Sequence, residues 1–512
     1  MKSWSRYLSI VLLSVSTAQG GTTRGRTFYS VRPFFQMAMP ERVALFRNDL
    51  LEENQGLGGA CEIVPFGSST TANGTSQIAR YFLPPGCTTN FLRVKEYNQA
   101  TSNSEDANPL KDLEARHFNI QTVEETFSST IALCPKQTVA GVGLCFKQTL
   151  SAKCDGTPGF WIELSIPIMR VTNQLHLTET IENDGGGPVD QIGLDNSPRI
   201  GTMIEALNQE TWHYGKIPTR CQSETGVADV ELLFGYNSYN CDTYTLASFG
   251  TLVIPTGNHV RGRTLFEPVV GNNRHFGVSL GNSFAYKFWC KDRHAVHIFL
   301  DNNTRYLFSN YQTRSFDLIG KPWSRYMETY KSSEEAAQAE REANANSGTS
   351  GINVFTRSVR VSPHLSGSFN TGIVLSRFSD CATWLLEGGY NLFVRQAEVL
   401  EFECSNQISA AALKAVDGLG KTTVARTIKG NFMDSEYLLE NRYASLSNCN
   451  IDVESASQPA TISSTIYATI GYCWERECPL SLSLGSSYEF TNAEINASPD
   501  RWLIWGKFCV TF

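Results

Sequence analysis

The feature that most constrains this 512-residue chain is a hydrophobic alternation of period two, kept up over unusually long runs. In 275–289, Phe276, Val278, Leu280, Phe284, Tyr286 and Phe288 share one face, opposite Gly277, Ser279, Gly281, Ser283, Ala285 and Lys287. In 479–490, Leu480, Leu482, Leu484, Tyr488 and Phe490 oppose Ser481, Ser483, Gly485, Ser487 and Glu489. In 159–169, Phe160, Ile162, Leu164, Ile166 and Ile168 oppose Trp161, Glu163, Ser165, Pro167 and Met169. Further runs lie at 127–134, 138–150, 171–181, 226–237, 243–254, 294–308, 366–377, 382–398 and 459–474. Successive side chains of a strand point to opposite faces, so these are strand patterns. Soluble strands average about 5–6 residues, whereas a tilted membrane-crossing strand needs about 9–11. Most of these runs are 11 to 16 residues long.

The connections alternate as well. Short links fall at 475–478, 378–381, 290–293, 238–242 and 135–137, with an abrupt reversal near Arg170. Long links fall at 491–499, 399–458, 309–365, 255–274, 182–225 and 151–158. Short turns on one rim and long loops on the other characterise outer-membrane barrels. The sequence therefore predicts an all-β fold, a single transmembrane antiparallel β-barrel. It has 13 strands from residue 127 onward, and an even count draws one more from 57–66, 76–84 or 112–120. The expected total is about 14, within about 12–16. Trp502, Ile504, Phe508, Val510 and Phe512 share one face of the last run. That terminal pattern, Phe508, Val510 and Phe512 above all, matches the signal read by barrel assembly machinery, which is an expected partner together with outer-membrane lipid.

The first twenty residues read as a cleaved secretory signal. Lys2 and Arg6 precede an apolar run from Tyr7 to Val15, and Ala18-Gln19-Gly20 supplies small residues for cleavage. That run is too short to span a bilayer, which takes about 20 helical residues. Removing residues 1–20 leaves 41 basic against 50 acidic residues, a balance of −9 that argues against nucleic-acid binding. Residues 21–54, with a helix-like stretch from Pro40 to Glu53, are expected to form an N-terminal extension or plug, and residues 55–512 the barrel. Ser332 and Glu335 have capping-box spacing and open an Ala/Glu-rich run to Asn346, read as an external helix.

All 14 cysteines lie beyond the signal, which suggests disulfides in an exported chain. Cys134, Cys241, Cys290, Cys381, Cys473, Cys478 and Cys509 fall in or near the predicted short turns, where they are expected to staple neighbouring turns or to link envelope partners. Cys154, Cys221, Cys404 and Cys449 fall in predicted outer loops. No metal or other cofactor is expected. His294 and His297 sit at odd spacing in a strand and so face opposite ways. Gly420-Lys421-Thr422 ends like a phosphate-binding loop, but Ala415 stands where that loop requires glycine. No serine or histidine sits in a catalytic motif, so a barrel hydrolase is set aside. Asn73 and Asn302 head glycosylation-type triplets, and Asn302 falls inside a predicted membrane strand.

Polar residues facing away from lipid are the candidates for a transport path. In 382–398, Glu387, Asn391 and Arg395 oppose Trp384, Leu386, Tyr390, Leu392 and Val394. In 294–308, Asp301, Asn303 and Arg305 oppose Val296, Ile298, Leu300, Tyr306 and Phe308. Charges at membrane depth need water or a partner charge, so these six line a hydrated lumen or form a paired network; the lumen is the preferred reading.

Three segments carry a resemblance. They are Arg26-Thr27-Phe28-Tyr29-Ser30-Val31-Arg32-Pro33, Lys111-Asp112-Leu113-Glu114-Ala115-Arg116-His117-Phe118 and Phe266-Glu267-Pro268-Val269-Val270-Gly271-Asn272. Over nearly the whole mature chain, the sequence resembles cysteine-containing, porin-like outer-membrane barrel proteins of obligate intracellular, amoeba-associated bacteria. Gly226-Val227-Ala228-Asp229-Val230 and Val253-Ile254-Pro255-Thr256-Gly257 are similar to strand motifs of barrels linked to uptake of hydrophobic compounds. The cysteine content is similar to that of chlamydial major porins. The resemblance implies a bacterial outer-membrane pore for passive diffusion of small solutes. The alternatives are a plugged transporter for hydrophobic compounds and a structural or adhesive, disulfide-linked surface protein.

Overall fold

The computed structural model describes residues 25–45, 58–84, 90–96, 112–152, 159–240, 243–332, 335, 348–402, 412–414, 443–445, 448–474, 479–491 and 498–512. One large sheet dominates, with strands β1 (Gly59–Thr70), β2 (Lys136–Thr149), β3 (Phe160–Gln174), β4 (Gln222–Val227), β5 (Val230–Asn240), β6 (Tyr244–Ile254), β7 (Gly277–Lys291), β8 (His294–Leu307), β9 (His364–Phe378), β10 (Ala382–Arg395), β11 (Thr461–Trp474), β12 (Leu480–Phe490) and β13 (Arg501–Thr511). Apart from β4 and β5, neighbours in sequence pair antiparallel, and β1 joins both β13 and β2, so twelve strands close a barrel. β4 is the extra member, bound to the upper half of β3 while β5 takes the lower half.

Twelve strands close rather than fourteen, for identifiable reasons. The 127–134 run becomes Ser128–Leu133 in a separate four-stranded sheet, which also takes in Leu177–Asn183 from the predicted 171–181 strand. The reversal expected near Arg170 does not occur, because β3 runs straight on to Gln174. Its outward residues turn from Ile168 to Arg170, Thr172 and Gln174 simply because the strand climbs beyond the apolar belt. Pro167, which has no amide to donate, sits where the partner of β3 changes from β5 to β4. Of the weaker candidates, 57–66 lies largely within β1, whereas 76–84 falls mostly in helix Ala72–Phe82 and 112–120 in a short strand and a 3-10 turn. The helix is capped by Thr71, whose Oγ1 accepts from Gly74 N at 3.1 Å.

The rims segregate as the link lengths required. One rim holds Gly59, Phe512 and the connections 150–159, 241–243, 292–293, 379–381 and 475–479. The other holds 71–135, 175–221, 255–276, 308–363, 396–460 and 491–500. Two assignments change places: 151–158 belongs to the short rim, and Cys134 and 135–137 to the long one. Outward positions form an apolar belt of exposed residues such as Leu280, Ile373, Leu386, Ile470, Leu484, Ile504 and Phe508. Phe512 is outward and exposed, with Val510 half-buried on the same face. Among the described residues no helix is long and apolar enough to cross a membrane. No disulfide joins the described cysteines; Cys134, Cys290 and Cys381 are exposed, Cys473 and Cys509 are buried, and Cys241 and Cys478 lie outside the described residues. Also outside them are Gly420-Lys421-Thr422 and most of 332–346, although Glu335 N does donate to Ser332 Oγ at 3.2 Å.

The long connections build a cap with its own apolar core, including Phe82, Phe118, Trp212, Trp323, Tyr326 and Phe355. Glu328 anchors it, buried beside Arg116 Nε at 3.3 Å and accepting from Tyr330 Oη at 2.6 Å. Burial would raise this carboxyl, but Arg116 and Tyr330 outweigh it and hold it below its ordinary 4.5. A depressed folded value stabilises above the unfolded value and is lost as pH falls below about 4.5. Wild-type cap peptides are thus expected to lose protease protection on acidification through that range. Glu328→Gln is expected to start less protected and to vary less with pH; identical pH profiles for the two proteins would refute this role.

Candidate functional site

The candidate site is the barrel interior, and what fills it comes from the chain's own N-terminus. In residues 25–45 no side chain is exposed. The segment enters from the cap, where Arg26 N donates to Tyr81 O and Thr27 N to Ser455 O. It then passes Arg32, whose Nη1 reaches Asn391 Oδ1 at 3.2 Å, and makes a one-turn helix, α1 (Pro40–Val43), instead of the longer one expected to Glu53. Residues 46–57 are outside the described set. Phe35, Ala38 and Leu45 all have left-handed φ near +60°. Each such non-glycine residue costs about 1–2 kcal/mol, so the path is imposed by its surroundings. Gly143 of β2 makes room for it, since a Cβ there would lie 2.0 Å from the Phe35 ring.

The wall offers carboxylates and the segment answers with guanidiniums. Arg42, 1% exposed, lies 2.8 Å from Glu163 of β3 and also pairs with Glu231 of β5. Arg305 of β8 meets the other oxygen of Glu231. Arg32 Nε is 3.2 Å from Glu489 of β12, which also holds Arg501 of β13 at 2.5 Å. Arg42 O accepts from Lys507 Nζ at 2.6 Å, and Lys507 lies 3.6 Å from Glu62. Isolated buried charges are prohibitively costly, so this reciprocity locks the segment to four strands at once, β3, β5, β12 and β13.

The six residues expected along a transport path all project inward, and the segment contacts two of them directly. Glu387 Oε2 accepts from Leu45 N at 2.9 Å, and Oε1 from Tyr467 Oη at 2.8 Å. Asn391 Nδ2 donates to Ala38 O at 2.8 Å. Arg305 is in the Glu231 network, Asp301 accepts from Ser283 Oγ at 2.6 Å, Asn303 is buried, and Arg395 Nη2 reaches Thr461 Oγ1 at 3.2 Å. Glu387, Asn391 and Arg305 thus sit in a packed network with the segment or its partners, whereas Asp301 also lines the cavity that remains. Sequence reasoning missed Arg32, Arg42, Glu163, Glu231, Glu489, Arg501 and Lys507. Glu163 and Glu489 carried a usable signal, a lone charge at inward parity within an alternating run.

Toward the short rim a cavity remains, with about 660 Å³ of empty space partly open to solvent. Met37, Trp161 and Phe249 give it apolar surface, and Lys147, Asn237 and Asp301 line it with polar groups. Lys147 Nζ lies 4.7 Å over the Trp161 ring, whose Nε1 donates to Asn237 Oδ1 at 3.1 Å. Farther along β3, toward the long rim, the wall is interrupted between β4 and β5. There Asp229 Oδ2 accepts from Asn272 N at 2.7 Å, and Gly271, at φ +81°, comes close enough that a Cβ would lie 2.7 Å from Asp229 Oδ1. Gln36 Nε2 donates to Asn272 Oδ1 at 3.1 Å, tying the segment to this interruption. The sequence segments 26–33 and 266–272 thus meet in space, with Tyr29 and Phe266 rings 5.6 Å apart.

Fold and site together define a closed antiparallel barrel with an internal N-terminal segment. No protein-family model and no curated protein matches the chain. Among solved structures it is similar to an outer-membrane channel from Pseudomonas putida F1, at 10% identity and TM-score 0.36, over 90% of this chain and 97% of the other. It is similar to a FadL homologue from Pseudomonas aeruginosa at 9% and 0.28, over 96% and 98%. A variant of the monoaromatic hydrocarbon channel TodX follows at 8% and 0.31, over 97% of each chain. At such scores these likenesses carry no argument, and the barrel is established by its own strand register.

Proposed function

We propose that this chain is a bacterial outer-membrane channel, exported by its N-terminal signal, whose lumen is plugged by residues 25–45. The observation that carries the reading is the burial of Arg42 between Glu163 and Glu231, inside a wall whose outer face carries an apolar belt. Barrels of eight strands are filled by side chains and those of sixteen or more leave a water channel; twelve leaves room for one peptide segment. Transport then requires the plug to shift, which favours a plugged transporter over a freely open diffusion pore. The cavity beside Trp161 and Lys147 pairs an apolar platform with charged and amide groups, which suits an amphipathic solute.

Planar-bilayer recordings test this. Wild-type protein is expected to conduct poorly, and deletion of residues 25–45 to raise single-channel conductance by about tenfold or more. With Arg32 and Arg42 gone, Glu163, Glu231 and Glu489 face water, so the enlarged pore is expected to prefer cations. Equal conductance for both proteins would overturn the plugged-channel reading. A structural role is a second reading, favoured by the exposure of Cys61, Cys290 and Cys381 at or near one rim. Disulfide-linked complexes on non-reducing gels would support it, and monomers alone would exclude it.

A further inference from the structure

Where the apolar belt ends on one side of the barrel, the wall turns basic. On β3 the last outward apolar residue is Ile168, 43% exposed, and the next outward residue is Arg170. On β4, Val227 pairs with Ile168, and Thr225 with Arg170. On β6 the belt ends at Ile254, and it resumes at Phe276, just before β7 and two residues after Arg274. Just beyond this line lies an open groove of about 940 Å³, bounded by β4 residues Ser223 and Glu224 and by the 255–276 connection, with Arg261, Arg263 and Arg274 in its lining.

The groove sets three guanidiniums against two carboxylates, Glu224 and Glu267. The Glu267 carboxylate is committed to the turn, accepting from the backbone amides of Arg261 at 2.7 Å, Gly262 at 3.2 Å and Arg263 at 2.8 Å. The guanidiniums of Arg261 and Arg263 form no ion pair among the described residues, and Arg274 Nε donates only to the Gly257 carbonyl, at 3.0 Å. Glu224 is the one other carboxylate in the lining. Burial lowers the His259 imidazole, and the nearby charges of Arg274 and Arg261 lower it further against the opposing charge of Glu267.

We propose that this groove binds the phosphate of an outer-leaflet lipid headgroup, with Arg261, Arg263 and Arg274 as its ligands. Guanidinium forks match phosphate oxygens two at a time. The position favours a lipid over a soluble anion, because a headgroup held there lays its acyl chains down the Ile168, Val227, Ile254 and Phe276 surface. The proposal rests on the membrane reading above.

The test is native mass spectrometry of the refolded full chain in detergent, with a diphosphorylated glucosamine-based lipid, the same lipid after dephosphorylation, or inorganic phosphate alone. Wild-type protein is expected to retain the phosphorylated lipid over the dephosphorylated one. The triple variant R261A/R263A/R274A is expected to lose about tenfold or more of that retention, and R360A, at an exposed arginine on another connection, none. If the alanine variant misfolds, the triple lysine variant, which keeps charge but loses the fork, is expected to show a smaller loss. Equal retention of the two lipids, or unchanged retention by the variants, would overturn the site. Binding of inorganic phosphate without lipid retention would assign the groove to a soluble anion and equally overturn it. A chain that inserts into bilayers yet fails these tests loses only this site; a chain that does not insert loses the membrane reading itself.

Discussion

Arg42→Ala is expected to open the channel without dissolving the barrel. The guanidinium lies between two buried carboxylates, Glu163 and Glu231, and removing one partner of a buried ion pair costs about 3–5 kcal/mol. That penalty falls on the plugged state, because Arg42 belongs to the segment while both carboxylates belong to strands that remain paired through their backbones. Once the segment leaves, water reaches Glu163 and Glu231 and relieves the penalty. Conductance should therefore rise toward that of the deletion variant, while the heat-dependent gel shift of a folded barrel is retained. Arg42→Lys should fall between, since an ammonium cannot span two carboxylates as a planar fork does. A variant that stays closed would show that Arg42 does not hold the plug.

Glu489→Ala is expected to give the largest loss of stability. One carboxylate serves Arg32 of the segment and Arg501 of β13, and also accepts from Ser498 Oγ at 2.9 Å. Both arginines are nearly fully buried, and Arg501 stacks 4.1 Å over the Phe34 ring. Stranding two buried cations should cost at least about 3–5 kcal/mol in denaturant unfolding from micelles. The effect should couple to Arg32. In a double-mutant cycle, Arg32→Met should recover about 0.5–3 kcal/mol of the loss. A loss under about 1 kcal/mol, the scale of an exposed pair, would mean that water already reaches this cluster.

The barrel was legible in sequence because its two signals, long alternation and segregated link lengths, are what long strands with one apolar outer face and two unlike rims impose. From β5 to β13 those runs fall close to the observed strands. Errors arose where alternation had another cause. Ser128–Leu133 alternates because it lines the cap core, and β3 stops looking apolar at Arg170 because it climbs out of the belt. The inward parity of Glu387, Asn391, Asp301 and Arg305 was also readable, since parity along a strand is fixed by geometry. What lies against them was not. Residues 25–45 have no period, and their conformation is set by long-range partners such as Glu163, Glu387 and Glu489, hundreds of residues away in some cases. Lone charges in apolar strands mark where partners are needed without naming them. Disulfide pairing was likewise beyond reach, and among the described residues Cys290 and Cys381 are exposed without a disulfide.

The central claim is that residues 25–45 are built into the barrel interior, and amide hydrogen exchange of the refolded full chain measures this directly. The amides of Phe35, Met39, Arg42, Val43, Ala44 and Leu45 all donate hydrogen bonds inside the barrel. Peptides covering them should exchange as slowly as those from β11 and β13. Complete exchange of 34–45 within seconds, while the strands stay protected, would contradict the account.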